Sequence, residues 1–378
     1  MMKFLASVAT ASLFALSGAS AFAADRPALE IASQGYVFAG GKYLDGPDGK
    51  TMSGQAYVEY QIPKTRTHPY PIVMIEGGGQ SGSNFTGTPD GREGWAQYFL
   101  RQGYAVYVVD QPGRGRSAVA SVYGKTAISP VATIEQRFTA PERSNMWPQA
   151  KLHTQWPGTG VAGDASFDQF YAEQLPAIAD FAKQQELNRD AGIALLDRIG
   201  PAILLTHSQS GAFGWPIADA RPNLVKAIVA VEPSGPPLHD AVFKGAPNYF
   251  ENGPLTKPYG VAAVPLTYGG VADASELSFT EQDKPDSPDL VKCWRQKEPA
   301  HQLTNLHNIP VVILSSEASY HASYDHCTAQ YLAQAGVKND FLRLADRGIR
   351  GNGHMMMLEK NNLEVARVIA EWLGKNVH

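Results

Sequence analysis

Short apolar runs recur along the chain and alternate with segments in which apolar residues follow helical spacing. Five of these runs have the length of a buried strand, at residues 71–75, 104–109, 202–205, 227–231 and 311–314. Helical spacing is clearest at residues 95–102, which end before a glycine, and at residues 363–373. This alternation predicts an α/β fold, with a mostly parallel twisted sheet and helices on both faces.

The two ends of the sheet carry additional strand signals. Residues 36–38 and 56–60 are strand-like runs that flank a turn-rich stretch at residues 44–49. They predict an antiparallel lead-in to the sheet. Residues 341–344 predict a further strand before the last helix.

Two segments interrupt the periodic pattern. Residues 117–163 and 233–307 have no sustained periodicity, and we interpret them as insertions that form a lid over the C-terminal edge of the sheet. The second insertion contains one possible strand, at residues 261–267. Between the insertions, an apolar stripe at residues 167–181 predicts a long helix that Pro176 bends or splits.

The first residues have the features of an export signal. Lys3 precedes an apolar run at residues 4–16, and small residues follow up to Ala23. They predict a signal peptide at residues 1–24 and a single domain at residues 25–378. The apolar run is shorter than the ~20 residues that a spanning helix needs, and no later segment of the mature chain predicts a membrane span. We therefore expect the protein in the periplasm or outside the cell.

Two cysteines, Cys293 and Cys327, are present in the whole chain. An oxidising compartment favours a disulfide between them, and two buried free thiols are the alternative. Histidines and an aspartate stand near the second cysteine, at His321, Asp325 and His326. Because this spacing matches no standard set of zinc ligands, we predict no metal site.

The charge balance excludes one class of partner. The net charge is -4, and charged residues make up 18% of the sequence. No basic field is available for the phosphates of a nucleic acid, so nucleic-acid binding is not expected. A hydrophobic content of 44% is typical of a globular protein.

A serine-containing run, THSQSG at residues 206–211, follows directly on the strand predicted at 202–205. A sharp strand-to-helix turn of this kind can expose a serine as a nucleophile when small residues flank it. Thr206 and Ser210 are small, although the usual motif has glycine at both positions. The interpretation is that Ser208 is the nucleophile, and Ser210 remains the rival.

A serine hydroxyl needs a histidine base, which a carboxylate must orient. His354 lies in a glycine-bracketed loop before the last helix, and Glu232 ends the strand that follows the serine strand. Both are therefore expected at the same sheet edge as the serine, with Glu317 and Asp325 as competing acids. We expect His207 to point away from the serine. The remaining loop histidines are interpreted as ordinary surface residues, at His301, His307, His321 and His326.

Glycines after the strand at 71–75 can bring backbone N–H groups close to a developing oxyanion. We assign one donor to Gly78, with Gly79 as the alternative, and the second to Gln209. Gly77, Gly79 and Gly82 also fit G-x-G-x-x-G, which would suggest a dinucleotide site with Asp110. The segment after Gly82 has loop character, which argues against that site. Arg114 and Arg116 could bind phosphate, but a solvated loop is the favoured interpretation.

The order of these parts resembles the α/β-hydrolase superfamily, and within it a branch of secreted bacterial esterases with a Ser-His-Glu triad. The likeness rests on TPDGR at 88–92, DQPGRGRS at 110–117, THSQSG at 206–211, VEP at 231–233 and the late Gly-His at 353–354. The resemblance covers nearly the whole mature chain. Glu76 stands where the wider superfamily often has histidine, and Gly78 and Gly79 replace a pair of cysteines associated with the branch.

The resemblance implies a nucleophile at Ser208, an acid at Glu232 and a base at His354. It implies hydrolysis of a small-molecule carboxylic ester through an acyl-enzyme intermediate, without a cofactor. The same triad would serve an amidase or peptidase, and this fold also includes non-catalytic binding proteins. These two alternatives stay open at the level of sequence.

Overall fold

The structure is a computed structural model that describes residues 27–117 and 123–378. The predicted signal peptide and residues 118–122 of the first insertion lie outside the described residues. Fourteen strands occur within the described part: Ile31–Gly46 (β1), Gly49–Pro63 (β2), Ile72–Ile75 (β3), Val106–Asp110 (β4), Thr126–Ala127 (β5), Ala177–Ile178 (β6), Ala202–His207 (β7), Val225–Val231 (β8), His239–Phe243 (β9), Phe250–Leu255 (β10), Phe279–Glu281 (β11), Trp294–Gln296 (β12), Val311–Ser315 (β13) and Asn339–Arg343 (β14).

Helices follow most of the parallel strands. The α-helices are Ser83–Thr86 (α1), Trp95–Arg101 (α2), Val131–Ile134 (α3), Ala165–Ala172 (α4), Phe181–Ile199 (α5), Gly211–Ala220 (α6), Asp325–Gln334 (α7) and Asn362–Asn376 (α8). A π-helical turn, Glu135–Thr139, continues α3. No helix within residues 27–117 and 123–378 is both long enough and apolar enough to cross a membrane.

One eight-stranded sheet has the strand order β1-β2-β4-β3-β7-β8-β13-β14. β1 and β2 form the predicted antiparallel hairpin, β2 pairs antiparallel with β4, and every later pairing is parallel. In the register, His207 of β7 is opposite Val231 of β8, and Leu314 of β13 is opposite the same valine. The residues that directly follow these three strands therefore meet at one edge.

Apolar side chains alternate between the two faces of the sheet, as expected for strands buried on both sides. On one face, Ile75 and Leu204 pack with Leu195 of α5 and Ile217 of α6. On the other face, a second core joins the sheet to α2 and α8, with members Met74, Leu205, Phe99, Val365 and Ile369. The prediction of an α/β-hydrolase fold with helices on both faces is confirmed.

Two predictions of local structure need correction. The stripe at residues 167–181 is not one helix, because the chain leaves α4 before Pro176, forms β6 and begins α5 at Phe181. Residues 261–267 are not a strand. Val261, Ala262 and Val264 are buried in the core beneath the sheet, so their apolar pattern reflects burial of an irregular segment.

The two insertions pack against each other beside the sheet edge. β9 pairs with β10, and β11 pairs with β12, so the second insertion contains two small hairpins that the sequence did not reveal. Trp147 of the first insertion, Val291 of the second and Tyr324 share an apolar cluster. Cys293 and Cys327 form a disulfide within this cluster, as predicted.

Candidate active site

Ser208 lies at a sharp turn between β7 and α6. Its φ is +55°, in the left-handed region that residues with a side chain seldom adopt. The turn is tightly packed: a Cβ on Gly77 would lie 3.1 Å from the Ser208 Cβ, and a Cβ on Gly211 would lie 2.4 Å from the Pro233 Cβ. A side chain at Gly211 would require the backbone at Pro233 to move, and one at Gly77 would press on the side chains of Gln80 and His207. The neighbours of Ser208 therefore hold its strained conformation.

Ser210, the rival nucleophile, has a different environment. Its side chain is buried, its Oγ donates to the Ile75 carbonyl at 2.7 Å and accepts from the His207 N–H at 2.8 Å. These bonds tie the elbow to β3. Ser208, by contrast, lines a cavity of about 600 Å³.

The structure brings Glu232 and His354 together. His354 Nδ1 is 2.6 Å from Glu232 Oε2, although 122 positions separate the two residues in the chain. The same carboxylate accepts hydrogen bonds from Ser316 N at 2.8 Å and from Ser319 Oγ at 2.7 Å. Burial raises the pKa of the Glu232 carboxyl, and the bonds from Ser316 and Ser319 oppose that rise. With this acceptor, Nδ1 carries the imidazole proton and Nε2 is left as a hydrogen-bond acceptor.

Tyr320 lies next to the imidazole of His354 and lines the same cavity as Ser208. Its hydroxyl is 3.2 Å from His354 Nε2. Burial raises the pKa of Tyr320, so the phenol stays protonated. Because Nε2 is an acceptor, Tyr320 donates to it. The sequence analysis missed this residue.

The predicted oxyanion residues share the cavity with Ser208. Gly78, Gly79 and Gln209 all line it, and a Cβ on Gly78 would lie 3.6 Å from the Gln209 side chain. The Gln209 amide is held on both sides, since its Oε1 accepts from Arg114 at 3.0 Å and its Nε2 donates to Gln184 at 2.7 Å.

The interpretation of Arg114 as part of a solvated loop is wrong. It is buried rather than solvated, and it donates to the Gly77 carbonyl at 2.6 Å as well as to Gln209. One guanidinium therefore joins the glycine loop to the serine elbow. Glu76 lies 3.9 Å from it, and burial raises the pKa of Glu76 to about 8 although Arg114 opposes the rise.

The G-x-G-x-x-G pattern of Gly77, Gly79 and Gly82 precedes only the single turn of α1. Asp110 accepts a hydrogen bond from the Gly82 N–H instead of facing a ribose.

The competing acids have partners other than His354. Glu317 pairs with Arg350 at 2.6 Å and accepts from the Gly351 N–H at 2.9 Å. Asp325 is 2.9 Å from His321 Nδ1. Neither carboxylate therefore contacts the imidazole of His354.

Three histidines are in environments that the sequence analysis did not foresee. His321 is buried, and its ring stacks on that of His354 with 4.7 Å between centroids. His207 also faces the imidazole, and its Nε2 donates to the His354 carbonyl at 3.0 Å. His326 lies 3.3 Å from the Cys293 sulfur, beside the disulfide. The interpretation of His321 as a surface residue is wrong, because its ring is buried among those of Tyr320, Tyr324 and His354. His326 is half-buried.

The loop that carries His354 is fixed from the sheet side. Arg92, within the TPDGR run, donates to the carbonyls of Leu358 at 2.8 Å and Glu359 at 2.9 Å. The Glu359 carboxylate accepts from the Gly353 N–H at 2.9 Å. The run at residues 88–92 thus supports the histidine loop and does not reach the cavity.

The first insertion is attached to the same loop through His153. Its Nε2 is 2.7 Å from Glu359, and its Nδ1 is 3.0 Å from Glu142. Burial opposes a charge on this ring, but the hydrogen bonds and charges of the two glutamates outweigh burial and raise the pKa of His153 to about 9. A charged histidine therefore joins the insertion to the loop of His354.

Residues 77–368 match the alpha/beta hydrolase family. The chain belongs to the α/β-hydrolase family. This hydrolase is 45% identical over 378 residues to a fungal protein (Fungal sp. strain ATCC 74256) named a probable secreted lipase, with 99% of each chain covered. It is also similar to a solved bacterial esterase, with 26% identity, a TM-score of 0.59, and coverage of 94% of this chain and 99% of the other. The hydrolase is exported, in agreement with its disulfide and with the name of its fungal relative.

A signal for the missed residues was present in the sequence. A polar run follows β13 and contains Ser316, Ser319, Tyr320 and His321. A polar run at the C-terminal end of a parallel strand lies at the edge where sites form in α/β proteins. The same reasoning that singled out Glu232 after β8 applies to these residues.

Proposed function

We propose that this hydrolase cleaves carboxylic esters with Ser208 as nucleophile, His354 as base and Glu232 as the orienting acid. The observation that carries the proposal is the combination of a strained, cavity-lining serine with the 2.6 Å contact between His354 and Glu232. The names of the fungal relative and of the bacterial esterase support an ester as the substrate.

In the proposed mechanism, Ser208 Oγ attacks the ester carbonyl carbon while its proton passes to His354 Nε2. The carbonyl oxygen gains the negative charge, which the N–H groups of Gly78 and Gln209 stabilise. The C–O bond to the alcohol then breaks, and Nε2 returns the proton to the leaving oxygen. Water attacks the acyl-enzyme by the same route and releases the acid.

The Tyr320 hydroxyl positions first the imidazole of His354 and then the substrate. In the free enzyme it donates to Nε2, so the base is occupied until substrate arrives. When the serine proton moves to Nε2, the phenol loses that acceptor and is free to donate to an oxygen of the substrate.

The test is hydrolysis of p-nitrophenyl esters from acetate to laurate, with a matched p-nitroanilide to detect amide cleavage. We expect ester hydrolysis that Ser208→Ala abolishes. Ser129→Ala is the control, because Ser129 lines the same cavity but lies outside the triad. Faster cleavage of the anilide would make the protein an amidase, and hydrolysis that persists in Ser208→Ala would contradict the proposal.

A further inference from the structure

Arg137 lines the cavity that contains Ser208. It belongs to the π-helical turn Glu135–Thr139, a type of turn that occurs frequently at functional sites. Its side chain is exposed, and its guanidinium carbon is 5.9 Å from the centre of the Tyr320 ring. A permanent positive charge therefore faces the space in which a substrate of the proposed reaction would bind.

This charge has no counterpart in the cavity wall. Asp240 also lines the cavity, but its Oδ1 accepts from Lys257 at 2.7 Å and from Thr256 at 2.8 Å, so its charge is compensated. Across residues 27–117 and 123–378, the Arg137 guanidinium has neither an ion pair nor a hydrogen bond, and it faces the Tyr320 ring. The wall also contains neutral polar side chains such as Gln209 and Ser234, and apolar ones at Phe138, Ile178, Phe181, Val242, Phe243 and Pro254.

Arg137 lies on the side of the cavity where the alcohol part of an ester would bind. Phe138, the next residue, stacks on the His354 ring at 5.2 Å, and the hydroxyl of Tyr320 is 3.2 Å from Nε2. Arg137 thus belongs to the wall beside Nε2. In an acyl transfer, Nε2 passes its proton to the oxygen of the leaving alcohol. The alcohol part of the ester therefore lies beside the wall that contains Arg137.

We propose that Arg137 is a specificity-determining residue that binds a carboxylate on the alcohol part of the substrate. The inference rests on the proposed ester hydrolysis and adds the substrate class, namely esters of hydroxy acids. A guanidinium fork matches a carboxylate with two parallel hydrogen bonds. One uncompensated cation matches a single negative charge, which favours a carboxylate over a doubly charged phosphate.

The test compares two pairs of esters that differ in charge but little in shape. p-Acetoxybenzoate and p-acetoxybenzamide differ by a carboxylate on the alcohol part. Mono-p-nitrophenyl succinate and p-nitrophenyl butyrate differ by a carboxylate on the acyl part. For each pair, kcat/KM of the anionic ester is divided by kcat/KM of the neutral ester, which cancels effects common to both.

We expect the wild-type enzyme to prefer p-acetoxybenzoate over its amide analogue. Arg137→Gln should lower that ratio about tenfold or more, the size of a lost charge-assisted hydrogen bond, mainly through KM. Arg137→Lys should restore part of it. Arg143→Gln removes an exposed arginine of the same insertion that does not line the cavity, and it should leave the ratio unchanged.

The outcomes separate this inference from the proposed function. If both neutral esters are hydrolysed but Arg137→Gln leaves the alcohol-side ratio unchanged, the inference is wrong and the proposed function stands. A change confined to the acyl-side pair would overturn the assignment to the alcohol. If none of the four esters is hydrolysed, the proposed function fails and this inference fails with it.

Discussion

Replacement of Glu232 by glutamine is the perturbation whose effect the structure defines best. Both carboxylate oxygens of Glu232 accept hydrogen bonds, Oε1 from Ser316 N and Oε2 from Ser319 Oγ and His354 Nδ1. A glutamine NH₂ group cannot accept a hydrogen bond. Either Ser316 N, or Ser319 Oγ together with His354 Nδ1, must therefore face this NH₂ group instead of an acceptor oxygen. If the NH₂ group faces Nδ1, the imidazole changes to the tautomer with its proton on Nε2, which cannot receive the serine proton.

The expected loss is large because the negative charge is lost together with the orientation of the base. The corresponding change from aspartate to asparagine in a serine protease lowers kcat about 10⁴-fold, which is about 5 kcal/mol of transition-state stabilisation. We expect Glu232→Gln to lose kcat by a similar order with a much smaller change in KM. The assay is steady-state hydrolysis of a p-nitrophenyl ester, with circular dichroism to verify the fold.

Two matched variants test whether the effect belongs to Glu232 specifically. Glu317→Gln weakens an ion pair with the exposed Arg350, and Asp325→Asn changes the buried contact with His321. Each should change kcat by a few fold. If either of them loses activity to the extent expected for Glu232→Gln, while Glu232→Gln remains active, the reasoning from the sheet register is refuted.

Two pH dependences follow from the same structure. Burial is the largest of several causes that hold the pKa of His354 well below its ordinary value of 6.5. We therefore expect kcat/KM to stay constant as pH falls to about 6.5 and to decline only below it. A decline of kcat/KM with its midpoint above about pH 7 would contradict a buried histidine base. His153 has a raised pKa of about 9, so its stabilising contribution, about 3 kcal/mol, is complete below pH ~6.5 and is lost as pH rises through about 9. Thermal unfolding should show this loss of stability at high pH in the wild type and not in His153→Ala, which lacks the pairs with Glu142 and Glu359. The same dependence of stability on pH in both proteins would count against a charged His153.

The centre of the sheet was predictable because its strands are short, mainly apolar runs that are buried on both faces. β3, β4, β7, β8 and β13 all lie within one or two residues of the runs seen in the sequence. Glu232 could be placed near the serine for the same reason, since parallel strands of similar length end at a common edge. The disulfide could be predicted from the expected compartment and the presence of two cysteines.

Other features depend on contacts between distant segments, which periodicity does not record. Arg114 is buried because its guanidinium fits between the Gly77 carbonyl and the Gln209 amide, and nothing in its local sequence indicates these partners. His321 is buried because the rings of Tyr320, Tyr324 and His354 pack around its own. The run at 261–267 is apolar because it fills core space, and burial of an irregular segment produces the same pattern as a strand.

Covalent labelling with a fluorophosphonate probe tests the central proposal most directly, because the probe reports the activated nucleophile without a choice of ester. The labelled protein is digested and the adduct is located by mass spectrometry. A tryptic peptide contains both Ser208 and Ser210, so fragment ions must distinguish them. We predict an adduct on Ser208 that is absent from Ser208→Ala. An adduct on Ser210, or labelling that persists in Ser208→Ala, would contradict the assignment.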